Sequence, residues 1–146
     1  MAPVVVTRTL DDAGKLAALL RARAHGVVEV PAIRIVHDPG GVEALPSAPD
    51  RRSGWAVVTS RHGADRRAVA CDGRLGAQLA VVGSATAQRC GELGLPVAVV
   101  PDRFLAEGLL ERFGPPDGST VVVAQAAGAA PTLADGLRAK GWDVEV

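Results

Sequence analysis

"AVVGSATAQRCGELGLPVAVVPDRFLAEGLLERF", residues 80–113, alternates apolar runs with segments of helical spacing. The runs at 79–82 and 97–100 are apolar without interruption, which is typical of strands buried on both faces of a sheet. A helix is predicted after each run, at 84–94 and 104–113. Strands that alternate with helices in this way are joined by crossovers and pair in parallel. The stretch therefore predicts an α/β domain with a parallel sheet.

The same alternation continues on both sides of that stretch. Further strands are predicted at 55–59, 119–124 and 143–146, and further helices at 63–71 and 130–140. Residues 55–146 thus predict a complete, doubly wound domain with a five-stranded parallel sheet. Three of its helices are followed by a glycine, which readily adopts the left-handed conformation that ends a helix. These glycines are Gly94, Gly114 and Gly141.

Residues 1–36 predict a β-α-β piece that is too small to bury a core of its own. A short β-branched strand precedes a helix at 9–24, Gly26 follows as the predicted helix-ending residue, and a second strand begins at 27–30. Residues 37–54 are rich in proline, glycine and serine, which is typical of a linker. The amino-terminal piece is therefore interpreted as part of a second, incomplete α/β domain.

The composition argues against several classes of partner. Sixteen basic and sixteen acidic residues give a net charge of +0, so neither a nucleic-acid partner nor a membrane surface is expected. No apolar segment approaches the ~20 residues of a membrane span, and the opening residues do not form a signal peptide. Cys71 and Cys90 predict a reduced pair in a cytoplasmic protein. No metal or cofactor pattern is found, since the histidines are scattered: His25, His37 and His62.

Glycines and polar side chains follow the predicted strands at their carboxyl ends. That edge of an open parallel sheet carries the ligand site. Hydroxyls and free backbone N–H groups there suit carboxylates or phosphates, but serine and threonine also serve there as ordinary helix N-caps. Both roles stay open for each residue. The candidate binding residues are Thr7, Arg8, Thr59, Ser60, Arg61, Gly63, Gly83, Ser84 and Thr86.

A catalytic triad of Ser60, His62 and Asp65 is disfavoured by its spacing. Triads converge from distant segments, whereas three side chains at one strand–helix turn diverge. The G-x-S-x-G motif of a nucleophile elbow is also absent from the sequence. The cluster therefore favours binding over nucleophilic catalysis.

Taken in order, four segments resemble the uroporphyrinogen-III synthase family. The first, at 4–36, contains a strand that ends in Thr-Arg. The second is "WAVVTSRHGA" at 55–64, with a strand that ends in Thr-Ser. The third, at 80–113, contains V-G-x-x-T-A and A-E-G-L, and the last is "LADGLRAKGWDVEV" at 133–146. No single motif is specific, but the series covers nearly the whole chain.

The resemblance implies two flavodoxin-like domains, of which the first is split around a complete second domain. A chain that ends at Val146 then lacks the carboxyl-terminal half of the first domain and is expected to be a truncated member. The family's tyrosine, a few positions further on, is missing. The segment at 124–131, "AQAAGAAP", also departs from relatives that carry polar residues there.

The resemblance also implies an activity and a substrate. Members cyclise hydroxymethylbilane to uroporphyrinogen III, with inversion of ring D and loss of water, in tetrapyrrole and heme biosynthesis. They are cyclising hydro-lyases and use no cofactor. The candidate residues named above would bind the carboxylates of this small-molecule substrate, and the incomplete first domain would favour self-association. The alternative is a truncated or degenerate flavodoxin-like module that binds an anionic ligand or a partner without catalysis.

Overall fold

The computed structural model describes residues 2–36, 53–71 and 76–146. The chain forms two compact units, Met1–Asp38 and Pro39–Val146, which are considered separately below. The predicted linker at 37–54 falls almost entirely outside the described residues. Its last two residues, Ser53 and Gly54, belong to a strand, so this strand begins two residues earlier than predicted.

The first unit has the predicted β-α-β order. Strand β1 (Val4–Val6) pairs in parallel with β2 (Val27–Glu29), and helix α1 (Leu10–Ala22) connects them. Thr9 is the N-cap, since its Oγ1 accepts a hydrogen bond from the Asp12 N–H at 3.3 Å. The helix is shorter than predicted, because Ala24 rather than Gly26 adopts a positive φ, of 60°. This left-handed residue ends the helix two residues early.

The second unit contains a parallel sheet of four strands in the order β4-β3-β5-β6. All three neighbouring pairs are parallel. The α/β class with parallel strands is therefore confirmed. The strands are β3 (Ser53–Val58), β4 (Gln78–Val81), β5 (Thr120–Ala124) and β6 (Asp143–Glu145); the helices are α2 (Arg61–Cys71), α3 (Ser84–Glu92), α4 (Ala106–Arg112) and α5 (Thr132–Ala139).

The predicted fifth strand, 97–100, is reduced to an isolated bridge between Ala80 and Val99. The Val81 N–H donates to the Val99 carbonyl at 3.0 Å, so the segment lies beside β4. Pro96 and Pro101 flank the segment, and a proline has no N–H to continue a ladder. The count of five strands is thus not met by the described residues.

The flavodoxin-like strand order is not met either. In that order the third strand lies beside the first. Here the segment at 97–100, which is third in this unit, lies outside β4, and β3 has β4 and β5 as its neighbours. The point where the order reverses is therefore between β3 and β5.

Helices cover both faces of this sheet, as the apolar strands predicted. Alternate residues of a strand point to opposite faces, and Val57 belongs to one apolar cluster while Val58 belongs to the other. The Val57 cluster includes Leu109 of α4 and Leu137 of α5. The Val58 cluster is completed by α2 and α3, and its members are Ala56, Val58, Ala64, Leu79, Val81, Cys90 and Leu95.

The helix ends of this unit confirm two of the three predicted glycines. Gly94 and Gly141 have φ values of 72° and 93° after α3 and α5. Gly114 is not among the positive-φ residues, and the prediction for it was wrong. Helix α4 instead ends at Phe113 in an extended conformation, and the Gly114 carbonyl accepts a hydrogen bond from the Trp142 indole at 3.2 Å.

Candidate functional site

The carboxyl ends of β3 and β5 meet at the point where the strand order reverses. Helix α2 leaves β3 toward one face of the sheet, and α5 follows β5 on the other face. A crevice forms at such a point because the two connections diverge, and ligands of open α/β sheets bind there. The candidate site of the second unit is therefore expected at the turns after these strands.

Thr59 holds the two strand ends together. Its backbone N–H lies 3.4 Å from the Ala124 carbonyl oxygen, and its Oγ1 donates to the same oxygen at 3.3 Å. The hydroxyl is thus part of the connection between β3 and β5. Any contact that Thr59 makes with a ligand would come in addition to this structural role.

Ser60 is the N-cap of α2. Its Oγ accepts a hydrogen bond from the Gly63 N–H at 3.1 Å, and its carbonyl accepts one from the Ala64 N–H at 3.1 Å. Ser60 is exposed. It is the acceptor in both of these hydrogen bonds, so its hydroxyl hydrogen takes part in neither. The capping role that the sequence left open is therefore present, and the hydroxyl keeps a donor for a second partner.

We expect Ser60→Ala to destabilise the second unit by about 0.5–2 kcal/mol, because the Gly63 N–H loses its acceptor. Ser60→Gly is the matched control and should cost only a few tenths of a kcal/mol, roughly, since glycine leaves the N–H open to water. Urea denaturation of both variants measures the difference. Equal costs would mean that the cap contributes nothing.

Gly63 lies close to both strand ends. A Cβ at this position would be 3.1 Å from Val58 Cγ1 and 3.7 Å from the Ala124 carbonyl oxygen. A side chain here would press against the end of β3, so glycine allows α2 to start directly over the crevice. Arg61 is exposed on the same turn, and its charge is the weakest of several causes that lower the pKa of Glu92.

The amino terminus of α3 has no side-chain cap. Gly83 is its N-cap, and the Gly83 carbonyl accepts hydrogen bonds from the Thr86 and Ala87 N–H groups at 3.1 and 3.0 Å. Ser84 is exposed, whereas Thr86 is only 5% exposed. Of the two predicted hydroxyls, only that of Ser84 is therefore readily open to a ligand from solvent.

Thr7 and Arg8 belong to the first unit, where they follow β1. Both are exposed, and the Thr7 carbonyl accepts a hydrogen bond from the Ala32 N–H at 3.2 Å. They lie at the carboxyl end of β1, as predicted, next to the Thr9 cap of α1.

Phe104 and Leu105 are exposed residues that the sequence reasoning did not select. They follow the segment at 97–100, and a Cβ at Gly83 would lie 3.8 Å from Phe104 Cβ. The apolar pair thus borders the amino terminus of α3. The sequence did contain a signal for Phe104. It is an aromatic residue that comes directly after Pro-Asp-Arg, and it lies outside the apolar faces of the predicted elements.

Charged groups connect α2 to α3. Arg89 Nε donates to Asp65 Oδ1 at 2.7 Å, and Arg89 Nη1 donates to Glu92 Oε2 at 3.0 Å. The Arg89 hydrogen bond, followed by that from Gln88, holds the pKa of the Glu92 carboxyl below its usual range. These ion pairs lie along the two helices. The charge of Arg89 therefore serves to hold α2 and α3 together.

The carboxyl groups of Glu92 and Asp117 have lowered pKa values, so they make the stability of the fold depend on pH. The pKa of Glu92 is lowered by Arg89, and the pKa of Asp117 is lowered by the hydroxyl and then by the N–H of Ser119. Groups with lowered folded-state pKa values stabilise the fold above their unfolded pKa values, about 4, and this contribution is lost as pH falls through the folded values. Both groups are exposed, so the effect is small.

We therefore expect the melting temperature of the double variant Glu92→Gln, Asp117→Asn to fall less steeply than that of the wild type below about pH 4. Calorimetry between neutral and acid pH measures the two slopes. Identical slopes would mean that neither carboxylate contributes to acid sensitivity.

Other features of the described residues do not add to the candidate site. A surface depression of about 370 Å³ is lined by Gln78, Leu79, Pro96 and Val97, among others. These residues lie at the amino ends of β4 and of the segment beside it, at the opposite edge from the turns described above. Residues 2–36, 53–71 and 76–146 contain no group of three or more side chains suited to a metal ion. In the same ranges, no helix is long and apolar enough to cross a membrane.

The fold has a known counterpart among solved structures. Uroporphyrinogen III synthase from the extremely thermophilic bacterium Thermus thermophilus superposes with a TM-score of 0.61 at 21% sequence identity. The match covers 98% of this chain and 59% of that chain, so this chain spans well under two thirds of that protein's length. At this identity the likeness establishes the fold.

The sequence itself matches a family. None of the curated proteins matches it significantly. Residues 14–146 match the model of the family described as uroporphyrinogen-III synthase HemD, which is nearly the whole chain. The quoted segments, the parallel α/β units and this match agree, and the chain belongs to the uroporphyrinogen-III synthase family.

Proposed function

We propose that this chain acts as a uroporphyrinogen-III synthase and cyclises hydroxymethylbilane to uroporphyrinogen III, with inversion of ring D and loss of water. The observation that carries the proposal is the family match over residues 14–146. The turns after β3 and β4 are consistent with it, because they offer the hydroxyls of Ser60 and Ser84 and the uncapped amino terminus of α3 to an anionic substrate.

The reaction needs a substrate conformer more than it needs a strong acid or base. The pyrrole nitrogen of ring A expels the hydroxyl of the hydroxymethyl group, which leaves as water after protonation. The substituted carbon of ring D attacks the resulting electrophile to form a spiro intermediate. The bond between this carbon and the methylene bridge to ring C then breaks, assisted by the pyrrole nitrogen of ring C, and leaves a second electrophile at that bridge. The other α-carbon of ring D attacks it, and loss of the proton from that carbon restores the pyrrole. Holding the chain of rings so that this carbon reaches the electrophile is catalysis by orientation.

We assign substrate carboxylates to the turns after the strands. Ser60 would donate its remaining hydroxyl hydrogen, Arg61 would supply charge, and Gly63 would keep the approach open. At the second turn, Gly83 and Ser84 would offer the free N–H groups of α3. Thr59 and the buried Thr86 would support these turns from within. In the first unit, Thr7 and Arg8 would bind a carboxylate at the carboxyl end of β1.

The test is a coupled assay on this chain. Hydroxymethylbilane is generated in situ, and the I and III isomers of uroporphyrinogen are separated by chromatography. We expect isomer III above the spontaneous background. Isomer I alone would overturn the proposed activity and would leave the alternative of a module that binds anions without catalysis.

A charge variant tests the assigned turn within the same assay. Ser84→Asp should lower the rate of isomer III formation by about tenfold or more, because a carboxylate at this turn repels the carboxylates of the substrate. The variant should remain folded, since an acid in the first turn of a helix is stabilising. Gln88→Glu adds the same charge further along α3 and should leave the rate unchanged. Equal losses in both variants would argue against the assigned turn.

We also propose the cytoplasm as the compartment and self-association through the first unit. The Cys90 thiol is buried and unpaired, which is typical of a reducing compartment. Val5, Val28, Val30 and Ile33 are exposed on the first unit, and apolar surface of this kind favours association. Light scattering should give a molar mass above that of one chain, and Val28→Lys should lower it. The control Val146→Lys should have no effect.

A further inference from the structure

Phe104 differs from the other aromatic residues of the chain in its surroundings. The sequence has two tryptophans, two phenylalanines and no tyrosine. Three of these rings pack together in the core, with ring centroids 5.0 Å apart for Trp55 and Phe113 and 5.8 Å apart for Phe113 and Trp142. The fourth, Phe104, is 55% exposed, and the adjacent Leu105 is 57% exposed.

The turn that carries Phe104 is tightly constrained. The Leu105 N–H donates to the Arg103 carbonyl at 2.8 Å, which closes a three-residue turn with Phe104 at its centre. Gly108 of α4 packs against that carbonyl so closely that a Cβ would overlap it. Arg103 also forms an ion pair with Glu111. The exposed ring is therefore presented by a backbone that is fixed at several points.

The turn lies at the edge of the sheet that carries the proposed substrate site. The segment at 97–100 runs parallel to β4, so its carboxyl end lies beside the carboxyl end of β4. The Cβ position at Gly83 is 3.8 Å from Phe104 Cβ, which puts the ring next to the turn that presents Ser84. An apolar surface is thus continuous with the polar turn at the start of α3.

We infer that Phe104, together with Leu105, forms the apolar wall of the substrate site and packs against a pyrrole ring of the tetrapyrrole. The inference rests on the proposed function and identifies a further substrate-contacting residue for it. A pyrrole ring has an apolar face and carries carboxylate side chains at its rim. A phenyl ring beside uncapped N–H groups matches both features, since aromatic rings pair favourably at centroid distances of about 4.5–7 Å.

Binding of a stable porphyrin tests the inference directly. Uroporphyrin III is titrated into the full chain and followed by its fluorescence. Phe104→Ala should raise the dissociation constant about tenfold, whereas Phe104→Trp, which keeps an aromatic face, should stay within about threefold of the wild type. Val146→Ala removes apolar surface at an exposed residue outside the proposed site and should leave binding unchanged. Circular dichroism of each variant monitors folding.

The outcomes separate the inference from the proposed function. If the wild type forms isomer III and binds uroporphyrin III as tightly as Phe104→Ala does, the inference is wrong and the proposed function stands. If the wild type neither binds the porphyrin nor forms isomer III, both are wrong. If Phe104→Ala lowers the molar mass in sedimentation without changing porphyrin binding, the ring contacts a second copy of the chain and the inference is overturned.

Discussion

Trp142→Ala is expected to destabilise the second unit by about 3–5 kcal/mol, the usual cost of removing a large buried aromatic side chain. Trp142 is only 6% exposed, and its ring meets Phe113 edge-on, at an interplanar angle of 88°. Its indole N–H also donates to the Gly114 carbonyl at 3.2 Å. The variant would lose the ring contact and the hydrogen bond together, and it would leave a cavity beside α4 and α5.

Urea denaturation followed by far-ultraviolet circular dichroism measures this loss. Trp142→Phe is the matched control, because it keeps an aromatic ring against Phe113 but has no N–H donor. We expect the control to cost about 1–2 kcal/mol, which combines a lost hydrogen bond with a smaller cavity. A cost below about 1 kcal/mol for Trp142→Ala would mean that the cluster around Phe113 does not hold α4 and α5 on the sheet.

Gly108→Ala is expected to destabilise the second unit by about 1–2 kcal/mol, although alanine favours a helix over glycine by about 1 kcal/mol. A Cβ at 108 would overlap the Arg103 carbonyl oxygen and lie 3.1 Å from Arg103 Cβ. Because the obstacle is backbone, relief requires the turn at 102–105 to move, and overpacking of this kind costs about 1–3 kcal/mol or more.

Gly91→Ala, in the same unit, is expected to have the opposite effect on stability. Gly91 lies in α3, and in the described part of the chain no atom beyond its chain neighbours and its own helix backbone would lie within 4 Å of its added Cβ. This variant should be more stable than the wild type by about 0.5–1 kcal/mol. Thermal denaturation of the two variants should therefore move in opposite directions. A melting temperature of Gly108→Ala equal to or above that of the wild type would mean that the close approach of α4 to the turn is not a constraint.

Gly108→Ala has a second consequence if Phe104 contacts the substrate. Moving the turn would displace the Phe104 ring from its position beside Gly83, so porphyrin binding should weaken even under conditions in which the variant is folded. Gly91→Ala should bind like the wild type. Comparing Gly108→Ala with Gly91→Ala tests how far porphyrin binding depends on the position of the Phe104 ring. The Phe104 variants test how far it depends on the chemical nature of that side chain.

Much of the second unit could be predicted from the sequence. Uninterrupted apolar runs such as 79–82 predicted strands buried on both faces, and helices at the predicted places cover both faces. The helix-ending glycines Gly94 and Gly141 were correct because a positive φ is a property of one residue and its neighbours. The segment at 97–100 failed as a strand because its two flanking prolines outweighed its apolar composition.

The roles of individual residues in the candidate site were harder to predict from the sequence. Hydroxyls at 59 and 60 look equivalent in sequence, yet Thr59 bonds to the end of β5 while Ser60 caps its own helix. The partner of Thr59 is 65 residues away, so no local pattern could name it. Ser84 and Thr86 likewise look equivalent in sequence, but Ser84 is exposed and Thr86 is buried. This difference depends on how α3 packs on the sheet.

By itself, the sequence determined the α/β class, the parallel pairing and the family, because these depend on periodicity, helix ends and the order of motifs along the chain. Only the tertiary structure decided the strand order, which puts the crevice between β3 and β5. It alone also brought Phe104 beside Gly83. Both depend on which distant segments pack together, and that choice is made by the burial of apolar surface across the whole unit rather than by neighbouring residues.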